Sequence, residues 1–163
     1  MPSCGHTRAT VVSVADSSGY SVRRASGEHS SAAFEADRDL IRALEKRSQA
    51  VSCAEDCVLF SQGDAPRGLY ILRIGGAALT MRSEAGGVMM CLRPVSGSLL
   101  GLPAVIGNQP YSLTAMARKG SEVRFVAQSD FEYTLRIEPS LYPKVLQVLA
   151  EEVRAARKAF CEA

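Results

Sequence analysis

The sequence predicts a mainly β domain, a double-stranded β-helix or jelly-roll barrel with an N-terminal helix and a long C-terminal helix. Between residues 57 and 128, short apolar segments alternate with glycine-rich turns at even spacing, which is typical of antiparallel sandwiches and barrels. On either side, residues 33–48 and 140–161 carry apolar residues at helical spacing. The 163 residues are enough for one domain with a buried core.

The composition favours an ordinary globular protein, with 47% hydrophobic and 22% charged residues. Its net charge is +2, from 19 basic and 17 acidic residues that are scattered along the chain, which argues against direct nucleic-acid binding. No apolar run approaches the ~18 residues of a membrane span, and residues 1–21 lack a signal-peptide pattern. We therefore expect a cytoplasmic protein whose five cysteines are free thiols.

The N-terminal part of the chain divides into a tail and the start of the domain. Residues 1–32 are rich in Ser, Ala and Gly, which predicts a flexible tail. The domain is expected to span residues 33–163. Its first helix is predicted over residues 33–48, where Leu40 and Leu44 belong to one apolar stripe opposite charged residues.

Strands follow, and most of them end at a glycine turn such as Gly75-Gly76. The predicted strands cover residues 57–60, 69–74, 77–82, 88–93, 98–101, 111–117 and 122–128. After them the period becomes helical. Ser129 and Glu132 have the spacing of a capping box, and the helix is expected to end at Glu138 because Pro139 follows.

The last helix, predicted over residues 140–161, carries two apolar stripes. Leu141, Val145 and Val148 are expected to pack on the barrel. The second stripe follows the steps of four and three of a coiled coil. It consists of Tyr142, Leu146, Leu149, Val153, Ala156 and Phe160. This pattern predicts a homodimer about a two-fold axis, and the alternative is an amphipathic helix that packs only on its own domain.

Residues 97–117, GSLLGLPAVIGNQPYSLTAMA, combine a strand, a tight bend, one helical turn and another strand. The free amides at such a helix start can bind a small anion. The apolar turn after the bend is expected to place Leu102, Val105 and Ile106 in the core. This segment is therefore the predicted ligand-binding region of the domain.

Taken together, residues 38–161 resemble the cyclic-nucleotide-binding domain of the catabolite-activator/FNR regulator superfamily. The resemblance is clearest in VLFSQGDAPRGLYILRIGGAAL, which has the aromatic, the Gly-Asp turn, the aromatic strand and the closing glycine of that family. The matching residues are Phe60, Gly63, Asp64, Leu69, Tyr70, Ile71 and Gly75. The resemblance implies a sensory module without catalytic residues.

The resemblance also implies a phosphate cassette, in which a glycine opens the helix, a glutamate binds the ribose hydroxyl and an arginine neutralises the phosphate. Gly101 matches the glycine and Ser112 the small residue after the arginine, but Leu102 and Tyr111 stand at the glutamate and arginine positions. Without the glutamate and the arginine, a cyclic nucleotide should lose about two charge-assisted hydrogen bonds, each of which contributes ~1.5–3 kcal/mol to binding. A cyclic nucleotide is thus the candidate ligand, in a cassette without its usual charged groups.

Three other arginines are candidates for restoring the missing positive charge. They are Arg118, Arg154 and Arg157, of which we include Arg157 with the four cassette residues in the expected ligand site. The alternative is that all three are solvated surface residues.

The function that we expect is a non-catalytic regulatory module that signals through ligand- or partner-dependent dimer geometry. The chain stops at Ala163 without the helix-turn-helix of DNA-binding relatives, so we expect no direct DNA contact. A degenerate domain that binds no ligand and serves as a scaffold is one alternative. A cysteine-based redox sensor that uses Cys53 and Cys57 is another.

Metal-dependent and nucleophilic enzymes are disfavoured by the histidines. The only two, His6 and His29, lie in the predicted tail, so no histidine is available to the barrel for a metal site or a Ser–His pair. The spacing of Cys53 and Cys57 differs from the common zinc and redox motifs. Cys91 is expected to fill a strand position as a small hydrophobic residue.

Overall fold

The computed structural model describes residues 35–162, with side chains through residue 160. The predicted tail and the first two residues of the predicted first helix lie outside the described residues. The elements, in chain order, are α1 (Arg38–Glu45), β1 (Ser48–Val51), β2 (Cys57–Phe60), β3 (Gly68–Ile74), β4 (Ala77–Arg82), β5 (Val88–Leu92), β6 (Ser98–Leu100), α2 (Leu102–Gly107), β7 (Thr114–Ala117), β8 (Glu122–Ala127), α3 (Gln128–Ile137), a 3₁₀ turn (Pro139–Leu141) and α4 (Tyr142–Glu162).

The strands form two antiparallel four-stranded sheets with the orders β1-β8-β3-β6 and β2-β7-β4-β5. One apolar cluster joins residues of both sheets, such as Leu72 and Val123 from the first and Leu79 and Leu92 from the second. A second cluster lies between the first sheet and the helices. The predicted jelly-roll class with flanking helices is therefore confirmed.

The turn between β3 and β4 shows why glycine is needed where the sequence predicted a turn. Gly75 has φ +103°, and a Cβ there would lie 2.4 Å from the Ser121 hydroxyl oxygen. That hydroxyl donates to the Gly76 carbonyl at 3.0 Å and accepts from the Gly76 N–H at 3.1 Å. Backbone conformation and lack of space both exclude a side chain at this turn.

The first helix is shorter than predicted, because the chain changes direction at both of its ends. The Asp37 side chain accepts from the Asp39 N–H at 2.8 Å and caps the start. At the other end, Ser48 begins β1, which pairs with β8. Strand β1 was not predicted because its residues, SQAV, include only one large apolar side chain and none of the four is buried.

The predicted capping box is wrong. Helix α3 begins at Gln128, directly after β8, with Ala127 as its N-cap and no side-chain cap. The Gln128 N–H donates instead to the Arg67 carbonyl at 3.0 Å. Ser129 therefore lies inside the first turn and cannot cap the helix. The helix starts one residue earlier because it follows directly from the end of β8. The predicted helix end at Glu138 is confirmed.

Helix α4 packs on the rest of the domain by the stripe that the sequence predicted. Leu141, Val145 and Val148 are each 2% exposed and belong to the cluster beneath the helices. Pro143 lies in the first turn, where it removes no helical hydrogen bond. Among residues 35–162, no helix is both long enough and apolar enough to cross a bilayer.

Candidate functional site

The bend that opens the cassette segment, residues 101–112, is formed by a glycine that cannot be replaced without strain. Gly101 has φ +89° and is the N-cap of α2. A Cβ at this position would lie 3.1 Å from the Tyr111 ring and 3.2 Å from the Phe60 ring. The resemblance assigned this glycine to the opening of the cassette helix, and in this structure two aromatic rings lie against it.

The residue at the expected glutamate position is an apolar core residue. Leu102 is fully buried and packs in the cluster that also contains Val105 of α2 and Val145 and Val148 of α4. Ile106 was expected in this core as well, but it is 46% exposed, whereas Ala104 is buried in the cluster between the sheets. The short helix α2 contacts β3, and its Leu102 and Val105 belong to the same apolar cluster as residues of α4.

The residue at the expected arginine position fills the space beside the bend. Tyr111 is 4% exposed, and its ring stacks on Phe60 with centroids 4.0 Å apart and an interplanar angle of 16°. Its hydroxyl donates to the Gly68 carbonyl at 2.6 Å and accepts from the N–H groups of Arg67 at 3.1 Å and Gly68 at 3.3 Å. The polar end of the side chain is thus satisfied by the chain itself.

The backbone of Tyr111 is bound to the Gly-Asp turn as well. Its N–H donates to the Asp64 carbonyl at 2.9 Å, and its carbonyl accepts from the Gly63 N–H at 2.8 Å. These contacts turn Tyr111 out of the sheet, so that β7 begins at Thr114 and not at residue 111 as predicted. The Gly-Asp turn and the cassette segment therefore form one unit, although they are far apart in the sequence.

The stacked pair continues as a row of aromatic rings between the sheets. Phe60 and Tyr70 have centroids 5.9 Å apart, and Tyr70 and Phe125 have centroids 5.0 Å apart. The Tyr70 hydroxyl donates to the Leu59 carbonyl at 3.0 Å, and burial raises the pKa of this phenol. The interior next to the cassette segment is consequently filled by rings that contact one another.

The predicted site residues do not all come together. Gly101, Leu102 and Tyr111 adjoin, whereas Ser112 and Arg157 are exposed. Arg118 is also exposed, and Arg154 pairs with Glu151 on the surface of α4. A role in ligand binding for the expected set stays a prediction.

An acidic residue that was not predicted lies on the inner face of α4. Glu152 continues the buried stripe after Val148 and is followed on that stripe by Ala155, which is 5% exposed. Burial raises the pKa of the Glu152 carboxyl to about 8. Extending the stripe of Leu141, Val145 and Val148 by one further helical step would have found this residue.

The outer face of α4 presents large apolar side chains to solvent. Among the stripe predicted to form a dimer, Tyr142 is 49% exposed, Leu146 64%, Val153 48% and Phe160 47%. Leu149 and Ala156 are half-buried. The two predicted stripes are thus separate surfaces, one packed on the barrel and one exposed along most of its length.

A cleft of about 330 Å³ lies between β1 and β2, the edge strands of the two sheets. It is lined by Gln49, Ala50, Val51, Cys57, Val58, Leu59, Arg67, Tyr70 and Phe125. Tyr70 and Phe125 of the aromatic row belong to its lining, and α4 contacts β5, which is at the opposite edge of the second sheet from β2. The cassette segment contributes no lining residue to it.

The described cysteines differ in their surroundings. Cys53 is 6% exposed, Cys57 is half-buried, and all three thiols, with Cys91, are free. Cys91 occupies a strand position on β5, as expected, but its side chain is exposed, and its neighbours Met90 and Leu92 are buried. Within residues 35–162, no three His, Cys, Asp or Glu side chains are grouped so that they could hold a metal ion.

Comparison with known proteins gives a family match over the middle of the chain. The family model of the cyclic nucleotide-binding domain matches residues 50–137. Among curated proteins, none matches the sequence at a significant level.

Solved structures share the fold at low sequence identity. The Thermus thermophilus catabolite activator protein has a TM-score of 0.62 at 20% identity, with 74% of this chain and 57% of that chain covered. The sensor domain of the transcriptional regulator DNR from Pseudomonas aeruginosa has a TM-score of 0.58 at 15% identity, with 87% and 95% covered. The regulatory domain of Toxoplasma gondii PKA, crystallised with cAMP, has a TM-score of 0.58 at 15% identity, with 72% and 43% covered.

Proposed function

Because this chain belongs to the cyclic nucleotide-binding domain family, we propose that it is a non-catalytic regulatory module that signals through the geometry of a homodimer formed by α4. A ligand or a protein partner sets that geometry. The observation that carries the proposal is the row of exposed apolar side chains on α4, of which Leu146 is 64% exposed. Such a row loses contact with water when a second copy covers it.

Two packing clusters connect the cassette segment with α4. Leu102 and Val105 share one cluster with Val145 and Val148, so α2 and the first half of α4 belong to one apolar core. Tyr111 shares the other cluster with Ala155 in the second half. A movement of α2 or of Tyr111 would therefore change the packing beneath both halves of α4, which gives a route from the cassette segment to the dimer.

Cyclic mononucleotides are expected to be poor ligands of this cassette. Leu102 cannot accept a hydrogen bond from a ribose, and Tyr111 carries no charge for a phosphate. A ligand at Gly101 would also have to displace a ring whose hydroxyl has three hydrogen-bond contacts.

The α4 dimer is tested by Leu146→Glu, which places a charge in the middle of the exposed row. We expect wild-type protein to have twice the chain mass of 17.4 kDa in light scattering and the variant to have the single mass. Gln147→Glu is the matched control, because it adds the same charge at the next, also exposed, position of the helix. A monomeric wild type, or a variant as dimeric as its control, would contradict the proposal.

A further inference from the structure

The loop between β1 and β2 brings two thiols together where the two sheets are connected. Cys53 follows β1, the edge strand of one sheet, and Cys57 begins β2, the edge strand of the other. Both side chains pack in the apolar cluster between the sheets. The Cys57 side chain is near enough to Cys53 to raise the pKa of the Cys53 thiol. Two neighbouring thiols on one short loop can join with a small movement of that loop.

Contacts to the turn before β8 hold this loop in place. The Cys53 carbonyl accepts from the Gly120 N–H at 2.8 Å, and the Asp56 carboxylate accepts from the Lys119 N–H at 2.7 Å. The Lys119 ammonium lies 3.7 Å from the Glu55 carboxylate. The loop is therefore fixed at three residues, and both of its acidic side chains face Lys119.

The two thiols have different access to solvent. Cys57 forms part of the wall of the cleft between the edge strands, beside Arg67 and Tyr70, so a small molecule can reach its sulfur. Cys53 is 6% exposed, and burial together with the neighbouring Cys57 raises the pKa of its thiol. Cys57 is thus placed to react first, and Cys53 to attack the product from inside.

We propose that Cys53 and Cys57 form a reversible disulfide site that reacts with small disulfides such as oxidised glutathione. The Cys57 thiolate attacks one sulfur of oxidised glutathione, whose S–S bond breaks to release one glutathione thiolate. The Cys53 thiolate then attacks the Cys57 sulfur and displaces the second glutathione. Two protein thiols are oxidised to one disulfide, oxidised glutathione is reduced to two glutathione molecules, and these take up the two protons.

The bond would fasten the end of β1 to the start of β2, which are the two edges of the cleft. Because the loop that it closes is short, the bond restricts the unfolded chain little and therefore adds little to the stability of the fold. A bond of this kind suits a reversible switch better than a structural disulfide. Oxidation therefore alters the cleft wall at Cys57 while the rest of the barrel keeps its pairing.

Peptide mass analysis of the full-length protein tests this site directly. Trypsin releases residues 48–67, which contain Cys53 and Cys57 and no other cysteine, so one peptide reports on the pair. The folded protein is treated with oxidised glutathione until the exposed Cys91 carries glutathione, and is then alkylated and digested. We expect peptide 48–67 to have lost two hydrogens, to carry neither glutathione nor alkyl group, and to recover both thiols after reduction.

Cys53→Ser separates the two chemical steps. In this variant we expect glutathione to remain on Cys57, as it does on Cys91, because the attacking thiol from inside is missing. If the wild-type peptide is still alkylated at both cysteines when Cys91 has reacted, or retains glutathione as the variant does, the proposal is wrong. A disulfide between two chains at these residues contradicts it equally.

Discussion

The side chains of the cassette segment make most of their contacts within the chain, whereas those on the outer face of α4 are largely exposed to solvent. Tyr111 in the cassette segment is 4% exposed and has a partner for its ring, its hydroxyl and its backbone. Leu146 on α4 is 64% exposed. A ligand at the cassette has to break existing contacts, whereas a partner on α4 only has to cover apolar surface. A partner on α4, as in the proposed function, therefore meets less resistance from existing contacts than a ligand at the cassette.

Among substitutions in the cassette segment, removal of the Tyr111 ring should cause the largest loss of stability. Tyr111→Ala deletes a buried aromatic side chain, which typically costs about 3–5 kcal/mol of unfolding free energy. In a domain of this size the melting temperature should fall by on the order of 10 °C. Tyr133→Ala is the control, since Tyr133 is 42% exposed. Equal losses in the two variants would show that Tyr111 does not support the cassette.

The Glu152 carboxyl should make the packing of α4 depend on pH. Its pKa in the folded protein, about 8, lies above the ordinary 4.5, so its contribution to stability is complete below pH 4.5 and is lost as the pH rises through 8. Each pKa unit corresponds to ~1.4 kcal/mol of unfolding free energy. Because the Glu152 side chain is only partly buried and water screens part of the effect, we expect the unfolding free energy to fall by about 2–4 kcal/mol.

Chemical unfolding of Glu152→Gln at several pH values measures this effect. The variant cannot ionise at this position, so its stability should fall less than that of the wild type between pH 4.5 and pH 8. Glu151→Gln, at the neighbouring position that pairs with Arg154, should keep the wild-type dependence. Glu152→Gln with an unchanged pH profile would show that this carboxyl is solvated.

A side chain at Gly101 should cost less than the loss of Tyr111, but more than backbone strain alone. Gly101→Ala forces an alanine to φ +89° and brings its Cβ to 3.1 Å from the Tyr111 ring. We expect a loss of about 1–3 kcal/mol. Gly86→Ala is a matched control, because Gly86 has φ +91° with nothing within 4 Å. If both variants lose the same stability, the rings do not crowd Gly101.

Local patterns in the sequence predicted most of the barrel. Strands β2 and β4 have the predicted bounds, and the inner stripe of α4 is buried as expected. These features depend on near neighbours in the sequence, which periodicity and turn residues report well. Strand β1 was missed because its pairing with β8 depends on residues more than 70 positions away.

The site was predicted less completely than the fold, for a similar reason. The alignment of motifs located Gly101 and Tyr111 in the cassette segment. It could not predict that the Tyr111 hydroxyl contacts Gly68 and Arg67, because these partners come from a distant turn. The proximity of Cys53 to Cys57 likewise depends on how the loop folds, and their spacing differs from that of the common zinc and redox motifs.

The Tyr111 side chain fills the space beside Gly101 in the cassette segment, where a ligand would otherwise bind. Thermal melting of the wild-type protein with cAMP or cGMP tests most directly whether it excludes them. A ligand at 100 times its Kd adds about 2.7 kcal/mol of stability, which in a domain of this size corresponds to a rise of roughly 5–10 °C. We predict no saturable rise in melting temperature up to about 1 mM of either nucleotide. A saturable rise of roughly 5 °C or more would contradict the claim.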